Sequence, residues 1–302
     1  MAGKRSKGRV GIIGLGIMGG AFAKNLKAAG WHVVGFDIAS KQNRKAARAG
    51  IEIASDATVL AASVPVIITS LAKPQALHET IHKIAKAKLP RRVIVDTSTF
   101  AIADKEKAER ALRAAGHVML DCPISGTGAQ AQTKDIVIYA SGERAAIRKL
   151  KPLFSDFSRA AHDLGGYGNG SRMKYVANLL VAIHNVASAE AMVLGMKAGL
   201  DPEQILRLVS SGVGNSRVFE LRAPMMAKNR YDPATMKISV WQKDMAVITA
   251  FAKSIGSPTP LFDATAPLYN CALADGRGGE DTAAVCAVLE RMAGLKRSKM
   301  PR

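Results

Sequence analysis

Four short groups of residues in this chain have the types and spacing of a reaction centre. Lys174 and Asn178 stand at i and i+4, so on a helix they share one face, one turn apart. A lysine amine can move a proton, and an asparagine amide one turn away can orient a hydroxyl. Spacing alone describes an exposed first-turn lysine equally well. Ser125-Gly126-Thr127 lies in a run of small residues after an apolar stretch. Backbone N–H groups in such a turn, with the Ser125 hydroxyl, can hold a carboxylate, although an ordinary strand-to-helix loop has the same composition. Lys243-Asp244 opens a helical pattern and by itself matches a surface charge pair. Gly14-Leu15-Gly16-Ile17-Met18-Gly19 spells G-x-G-x-x-G, which cradles a pyrophosphate only in the right structural setting.

That setting is present. Residues 10–13 are an apolar strand, the glycine loop opens a helix through Lys27, and a second strand over 33–36 ends in Asp37. Gly14 permits the tight turn, Gly16 lets the backbone approach the pyrophosphate, and Gly19 packs the helix on the strand. The pyrophosphate then sits at the positive end of the helix. Asp37 is placed to bind ribose hydroxyls and repels a 2′-phosphate, which favours NAD over NADP. If Asp37 merely ends the strand, Lys41 or Arg44 is left to hold a phosphate.

The elements that must position these groups follow from the pattern. Residues 10–13, 32–36, 64–69, 93–96, 117–120 and 136–140 read as short strands, each ended by Gly, Pro, Asp or Ser. Helical patterns such as 19–29 and 104–115 lie between them. Strands alternating with helices predict an α/β fold, an N-terminal Rossmann doubly wound sheet covered on both faces. Four glycines within residues 165–170 then break regular structure. Beyond them the β runs stop. Helices are expected over 171–199, from Asp201-Pro202 to 210, over 240–255 and over 281–292. The predicted organisation is a basic tail (1–9), a dinucleotide-binding domain (10–165), an all-helical C-terminal domain (166–294) and a second basic tail (295–302).

Composition limits the function classes. The chain has 302 residues, 48% hydrophobic and 22% charged, the make-up of a soluble globular protein. Its net charge is +19, but Lys4, Arg5, Lys7, Arg9, Lys296, Arg297, Lys299 and Arg302 crowd the ends, where disorder is expected. Removing those eight leaves +11, a field that draws an anionic cofactor and a carboxylate substrate. Aromatics are only 5%, too few for a basic surface interleaved with stacking rings, so nucleic acid is not the expected partner. The weakly charged stretch 175–200 contains Asn178, His184, Asn185 and Glu190, which suits a helix buried in protein better than a membrane span. Cys122, Cys271 and Cys286 make neither a disulfide framework nor a metal-ligand cluster. With no apolar run behind the basic N-terminus, a reducing, cytoplasmic setting is expected.

Taken together, the four groups resemble the β-hydroxyacid dehydrogenases, relatives of 3-hydroxyisobutyrate dehydrogenase, tartronate-semialdehyde reductase and glyoxylate/succinic-semialdehyde reductase within the 6-phosphogluconate dehydrogenase-like enzymes. The resemblance runs from about Val10 to about Leu289. It rests on the glycine loop, Asp-x-Pro-Ile-Ser-Gly at 121–126, Gly-x-Gly-x-x-x-Lys-x-x-x-Asn at 168–178, and Lys243-Asp244. It implies an NAD(P)-dependent oxidoreductase that moves hydride between nicotinamide and a small three- or four-carbon β-hydroxy acid or semialdehyde. Lys174 is then the general acid/base. Ser125, Gly126 and Thr127 hold the substrate carboxylate, and Asn178 orients its hydroxyl. Lys243 reaches cofactor and substrate, Leu71 packs by the cofactor, and Thr99 lies near the nicotinamide. Partial burial, and a second cation such as Lys243 nearby, would lower a lysine pKa from about 10.4 toward a useful range. A homodimer or homotetramer is implied as well.

The chain departs from the family pattern at Thr127, Ala72, Lys134 and Ala177, which bears on substrate more than on chemistry. His184, Gly214-Asn215-Ser216 and Gly279-Glu280-Asp281 look more like the branch acting on four-carbon sugar acids such as threonate. Two other readings compete. One is a non-catalytic dinucleotide-binding scaffold with an acidic partner, which Lys174 opposes. The other is an imine reductase-like enzyme, which generally lacks this lysine.

Overall fold

A run with no polar residue is what a strand covered on both faces requires. Val10 and Ile12 of the first strand join one apolar layer, with Phe22, Leu26, Leu120 and Phe154. Ile13 joins the other, with Leu60, Ile67, Leu77, Ile94 and Leu112. A Cβ on Gly11 would lie 2.4 Å from Leu60 Cδ2, so that strand and the helix below it are in direct contact. Each fully buried Ile or Leu contributes about 1.5–3 kcal/mol.

The computed structural model describes residues 6–297, which form two compact units, one ending at Lys174 and one starting at Tyr175. The N-terminal unit runs β1 (Arg9–Ile13), α1 (Ile17–Ala28), β2 (His32–Phe36), α2 (Ser40–Arg48), β3 (Glu52–Ile53), α3 (Ala57–Ser63), β4 (Val66–Thr69), α4 (Pro74–Lys86), β5 (Val93–Asp96), α5 (Ile102–Ala114) and β6 (Val118–Asp121). These six strands form one sheet in the order β3-β2-β1-β4-β5-β6, every pair parallel. That is the dinucleotide-binding strand order, with its switch point between β1 and β4. The N-terminal Rossmann sheet expected from the sequence is therefore present.

Then follow β7 (Ile124–Ser125), α6 (Gly128–Gln132), β8 (Val137–Ala140), α7 (Arg144–Ser155), β9 (Ala160–Asp163) and the long helix α8 (Asn169–Lys197). Strands β7, β8 and β9 make a separate three-stranded sheet, antiparallel then parallel. The pattern reading found β8 but neither of its partners. β7 is two residues long, and β9 reads Ala-Ala-His-Asp, with no β-branched side chain to mark it.

The C-terminal unit is helical: the rest of α8, then α9 (Pro202–Ser210), α10 (Arg217–Ala227), α11 (Ile238–Ser254), α12 (Pro260–Ala274), two 3-10 turns and α13 (Val285–Met292). Asp201 caps α9 through Gln204 N–H at 2.9 Å, with Pro202 at its first turn, as its sequence predicts. Helix α8 is long and apolar enough to cross a membrane. Its buried Asn185 donates to Tyr269 Oη and to the Thr282 carbonyl, both at 2.9 Å, and its buried Asn178 donates to Asp244. Such partners are those of a helix packed in protein.

The expected tails need one correction. Lys4, Arg5, Lys299 and Arg302 lie outside the described residues. Arg9, however, begins β1 and donates to the Ser63 carbonyl, and Lys7 pairs with Asp156 at 2.9 Å. Arg297 pairs with Glu290 and donates to the Ala227 carbonyl at 2.7 Å. Carboxylate and carbonyl partners supplied by distant segments fold these three cations into the body.

Candidate active site

The strands of the main sheet end in the order that a dinucleotide site requires. After β1, Gly14 takes φ +92° and donates its N–H to the Phe36 carbonyl at 2.9 Å. A Cβ there would lie 2.2 Å from the Ser70 carbonyl oxygen, and one on Gly19 would lie 1.8 Å from that of Gly14. Only hydrogen fits at either place. Around Gly16 there is open space, no side chain caps α1, and its first turn carries no acidic residue. An uncapped helix end facing open space suits an anion.

Asp37 stands just past β2, where its Oδ2 accepts from Leu15 N–H and its Oδ1 from Ala39 N–H, each at 2.8 Å. The Asn43 side chain brackets the Asp37 backbone through two further bonds. The carboxylate is thus locked against the glycine loop. Ile17, 77% exposed, projects from the loop, while Met18 packs into the core. Lys41 and Arg44 are exposed. These residues fit a dinucleotide: a floor without side chains, a helix end for the phosphates and a carboxylate for the ribose.

Beyond β4, Leu71 N–H donates to Ser98 Oγ at 3.0 Å, and Leu71 Cδ2 lies 3.4 Å from where a Gly14 Cβ would be. Thr97 Oγ1 donates to the Thr69 carbonyl at 2.8 Å, tying the β5 loop that carries Thr99 to the end of β4. Glycines shape the small-residue loop after β6. Gly126 takes φ +139°, and a Cβ there would meet Ile136 Cγ2 at 2.6 Å. One on Gly128 would meet Ile17 Cγ2 at 2.3 Å, so this loop abuts the dinucleotide loop. Thr127 caps α6 in a capping box: its N–H donates to Gln130 Oε1 at 3.0 Å, and its Oγ1 accepts from Gln130 N–H. Its N–H therefore already has a partner inside the loop.

Beneath these loops lies a buried cluster that sequence reasoning missed. Asp96 and Asp121 end β5 and β6 in register. Lys105 of α5, 1% exposed, pairs with Asp121 at 2.5 Å and Asp96 at 3.0 Å and donates to the Ser98 carbonyl. Burial alone would depress its pKa, but the two carboxylates outweigh burial and hold the ammonium above its ordinary range. Ser171, also 1% exposed, gives Asp121 its N–H at 2.7 Å and its hydroxyl at 2.8 Å. The Cys122 thiol is pushed up by burial and by Asp121, which makes it inert. In sequence, Lys105 sits in Asp-Lys-Glu-Lys and reads as a solvated face. The available signal was two apolar strands that both end in Asp.

Lys174 is half-buried, one turn beyond Ser171 on α8. In the C-terminal unit, Asn178 Nδ2 donates to Asp244 Oδ2 at 2.9 Å, and Lys243 Nζ pairs with Asp244 Oδ1 at 2.9 Å. Asp244 is buried, so Lys243-Asp244 is not an ordinary surface pair. It joins two residues singled out separately from the sequence. Of the residues suggesting a sugar-acid branch, Ser216 caps α10, and Asp281 accepts from Arg222, Thr235 and Ala283 inside the unit. Those two serve the fold.

Comparison with known proteins places these features in a family. Residues 9–166 match the model described as the NAD binding domain of 6-phosphogluconate dehydrogenase. Residues 168–289 match that described as NAD-binding of NADP-dependent 3-hydroxyisobutyrate dehydrogenase. The L-threonate dehydrogenase of Pectobacterium atrosepticum is 31% identical over 99% of this chain and 99% of its own length. That of Cupriavidus necator is 29% identical over 92% and 95%. Among solved structures, 3-hydroxyisobutyrate dehydrogenase of Mycobacterium tuberculosis with L-serine superposes with a TM-score of 0.85, at 25% identity, covering 93% of this chain and 99% of that one.

Proposed function

We propose a function from one premise: the chain belongs to the β-hydroxyacid dehydrogenase family. It is an NAD(P)-dependent dehydrogenase, and its substrate is a small β-hydroxy acid or semialdehyde of three or four carbons. The L-threonate dehydrogenases among its relatives favour a four-carbon sugar acid. Gly14, Leu15, Gly16, Ile17, Met18 and Gly19 form the loop that receives the pyrophosphate. Asp37 takes the ribose, which favours NAD, and Leu71 and Thr99 flank the cofactor.

Ser125 and Gly126, with Thr127 shaping the turn, receive the substrate carboxylate. Asn178 orients the reacting hydroxyl, and Lys243 supplies positive charge for the anions. When bound, the nicotinamide supplies a hydride acceptor or donor. Lys174 moves the proton. In the oxidising direction its neutral amine takes the hydroxyl proton as the carbon gives up hydride. In the reducing direction its ammonium returns a proton to the forming alkoxide. The observation carrying this reading is the placement of Lys174, half-buried, one turn past a serine bonded to Asp121, whose strand leads directly into Ser125.

The working form is a homodimer or homotetramer, supported by exposed Val176, Leu180 and Leu194 along α8. Light scattering during size exclusion tests that. The function is tested by a panel of small β-hydroxy acids and semialdehydes with NAD(H) and NADP(H), read at the nicotinamide absorbance. Lys174→Ala is expected to lose at least about 10³-fold in kcat with NADH affinity nearly intact. An undiminished kcat in that variant sinks the assignment.

A further inference from the structure

We propose that Asp121 and Ser171 are positioning residues that set where Lys174 presents its amine. The inference rests on the reading of Lys174 as the proton-moving group. Gly170 and Ser171 precede Lys174 by four and three residues, so they form the turn directly below it on the same helix face. A helical side chain leans back over that preceding turn. Wherever the Gly170–Ser171 turn sits, the base of the Lys174 side chain follows.

Buried bonds fasten that turn to the sheets. Ser171 N–H donates to Asp121 Oδ2 at 2.7 Å and Ser171 Oγ to Oδ1 at 2.8 Å. Gly170 N–H donates to Ser141 Oγ at 2.9 Å, and Ser141 Oγ in turn reaches the Asp121 carbonyl at 3.1 Å. No side chain can intervene, because a Cβ on Gly170 would lie 2.3 Å from the Tyr139 carbonyl oxygen and 2.6 Å from that of Asp121. Lys105, paired with Oδ1 at 2.5 Å, holds the same carboxylate. Asp121 is thus gripped by α5 and itself grips the first turn of α8. A carboxylate at that helix end also meets the positive end of its dipole. The same strand end runs on through Pro123 to Ser125, so one anchor sets both the proposed carboxylate loop and the proposed base.

The test compares full-length Ser171→Ala and Asp121→Asn with wild type and Lys174→Ala. Ser171→Ala deletes one bond and leaves the N–H bond in place. Asp121→Asn keeps shape, and Lys105 retains Asp96. Turnover is measured with L-threonate and NAD, and NADH affinity by fluorescence titration. Acylation of Lys174 by acetic anhydride, quantified by peptide mass spectrometry, needs no substrate. We expect NADH affinity within about twofold and KM within about threefold of wild type. Ser171→Ala should lose about fivefold in kcat and Asp121→Asn about 10²-fold, the scale of a misplacement near 1 Å. The Lys174 acylation rate should change at least threefold in both, while exposed Lys86 and Lys228 react as in wild type.

Wild-type kcat together with wild-type Lys174 reactivity in both variants overturns the proposal. So does a kcat loss matched by equal losses in NADH affinity and melting temperature, which marks a merely structural role. Should Asp121→Asn fail to fold, Ser171→Ala decides. Failure of the catalytic reading shows separately, as turnover surviving in Lys174→Ala or as wild type turning over no member of the panel of β-hydroxy acids and semialdehydes. In either case the acylation rates still decide where Asp121 and Ser171 place the lysine.

Discussion

Alanine at Gly16 and at Gly19 should have opposite consequences, although only two residues separate them and both belong to one loop. At Gly16 an added Cβ meets nothing within 4 Å, and the residue has φ −62° with an extended ψ. Folding is therefore expected to be unaffected, with a melting temperature within about 2 °C of wild type, because surface changes stay within about ±0.5 kcal/mol. The methyl instead occupies the floor against which a pyrophosphate lies. Losing one charge-assisted hydrogen bond costs about 1.5–3 kcal/mol, and every 1.4 kcal/mol is about tenfold in Kd. NADH binding should weaken by roughly 10- to 150-fold. At Gly19 the added Cβ would lie 1.8 Å from the Gly14 carbonyl oxygen, so α1 must move away from β1 by more than an ångström. Overpacking of that kind costs about 1–3 kcal/mol, or roughly 2–12 °C in a unit of this size. Fluorescence titration of NADH and differential scanning calorimetry on both variants separate the two effects. Wild-type NADH affinity in Gly16→Ala would refute the claim that the loop floor is the phosphate site.

Three further outcomes follow from individual side chains. Asp37→Ser removes the carboxylate that repels a 2′-phosphate, so the NADPH/NADH ratio of kcat/KM should rise at least about tenfold; an unchanged ratio places nucleotide choice with Lys41 or Arg44. Asp244→Asn takes the charge from the carboxylate that Asn178 and Lys243 share, and KM for the acid substrate should rise about tenfold, since hydrogen bonds to charged groups are worth about 1.5–3 kcal/mol; an unchanged KM returns Lys243 to the status of a surface pair. Burial pushes the Asp156 carboxyl up, but bonds from Lys7 and Trp31 outweigh it and hold the group below the usual range. Its contribution to stability is then complete above the unfolded value of about 3.9 and is lost as pH falls through the depressed folded value. Between pH 5 and pH 3 wild type should therefore lose more of its melting temperature than Asp156→Asn does; parallel losses would contradict this.

The parts of this protein legible in its sequence are those whose cause is local. The strand at 10–13, the three glycines and Asp37 after the second strand each follow from what neighbouring residues permit, and all lie where that reasoning puts them. Lys105 was illegible because its cause is not local. Two carboxylates end adjacent parallel strands in register, Asp96 beside Asp121, and both bond to one buried cation. The cation comes from the helix after β5, where a sequence pattern shows only alternating charge. Lys105 sits between them, and the Asp121 carboxyl also accepts from the Ser171 N–H at the start of α8. A helix end offers positive charge without a side chain. The buried lysine and the first turn of α8 are therefore joined through one carboxyl, that of Asp121. A reader of the sequence could have suspected it from one clue: two acidic residues where the code for a buried strand asks for none.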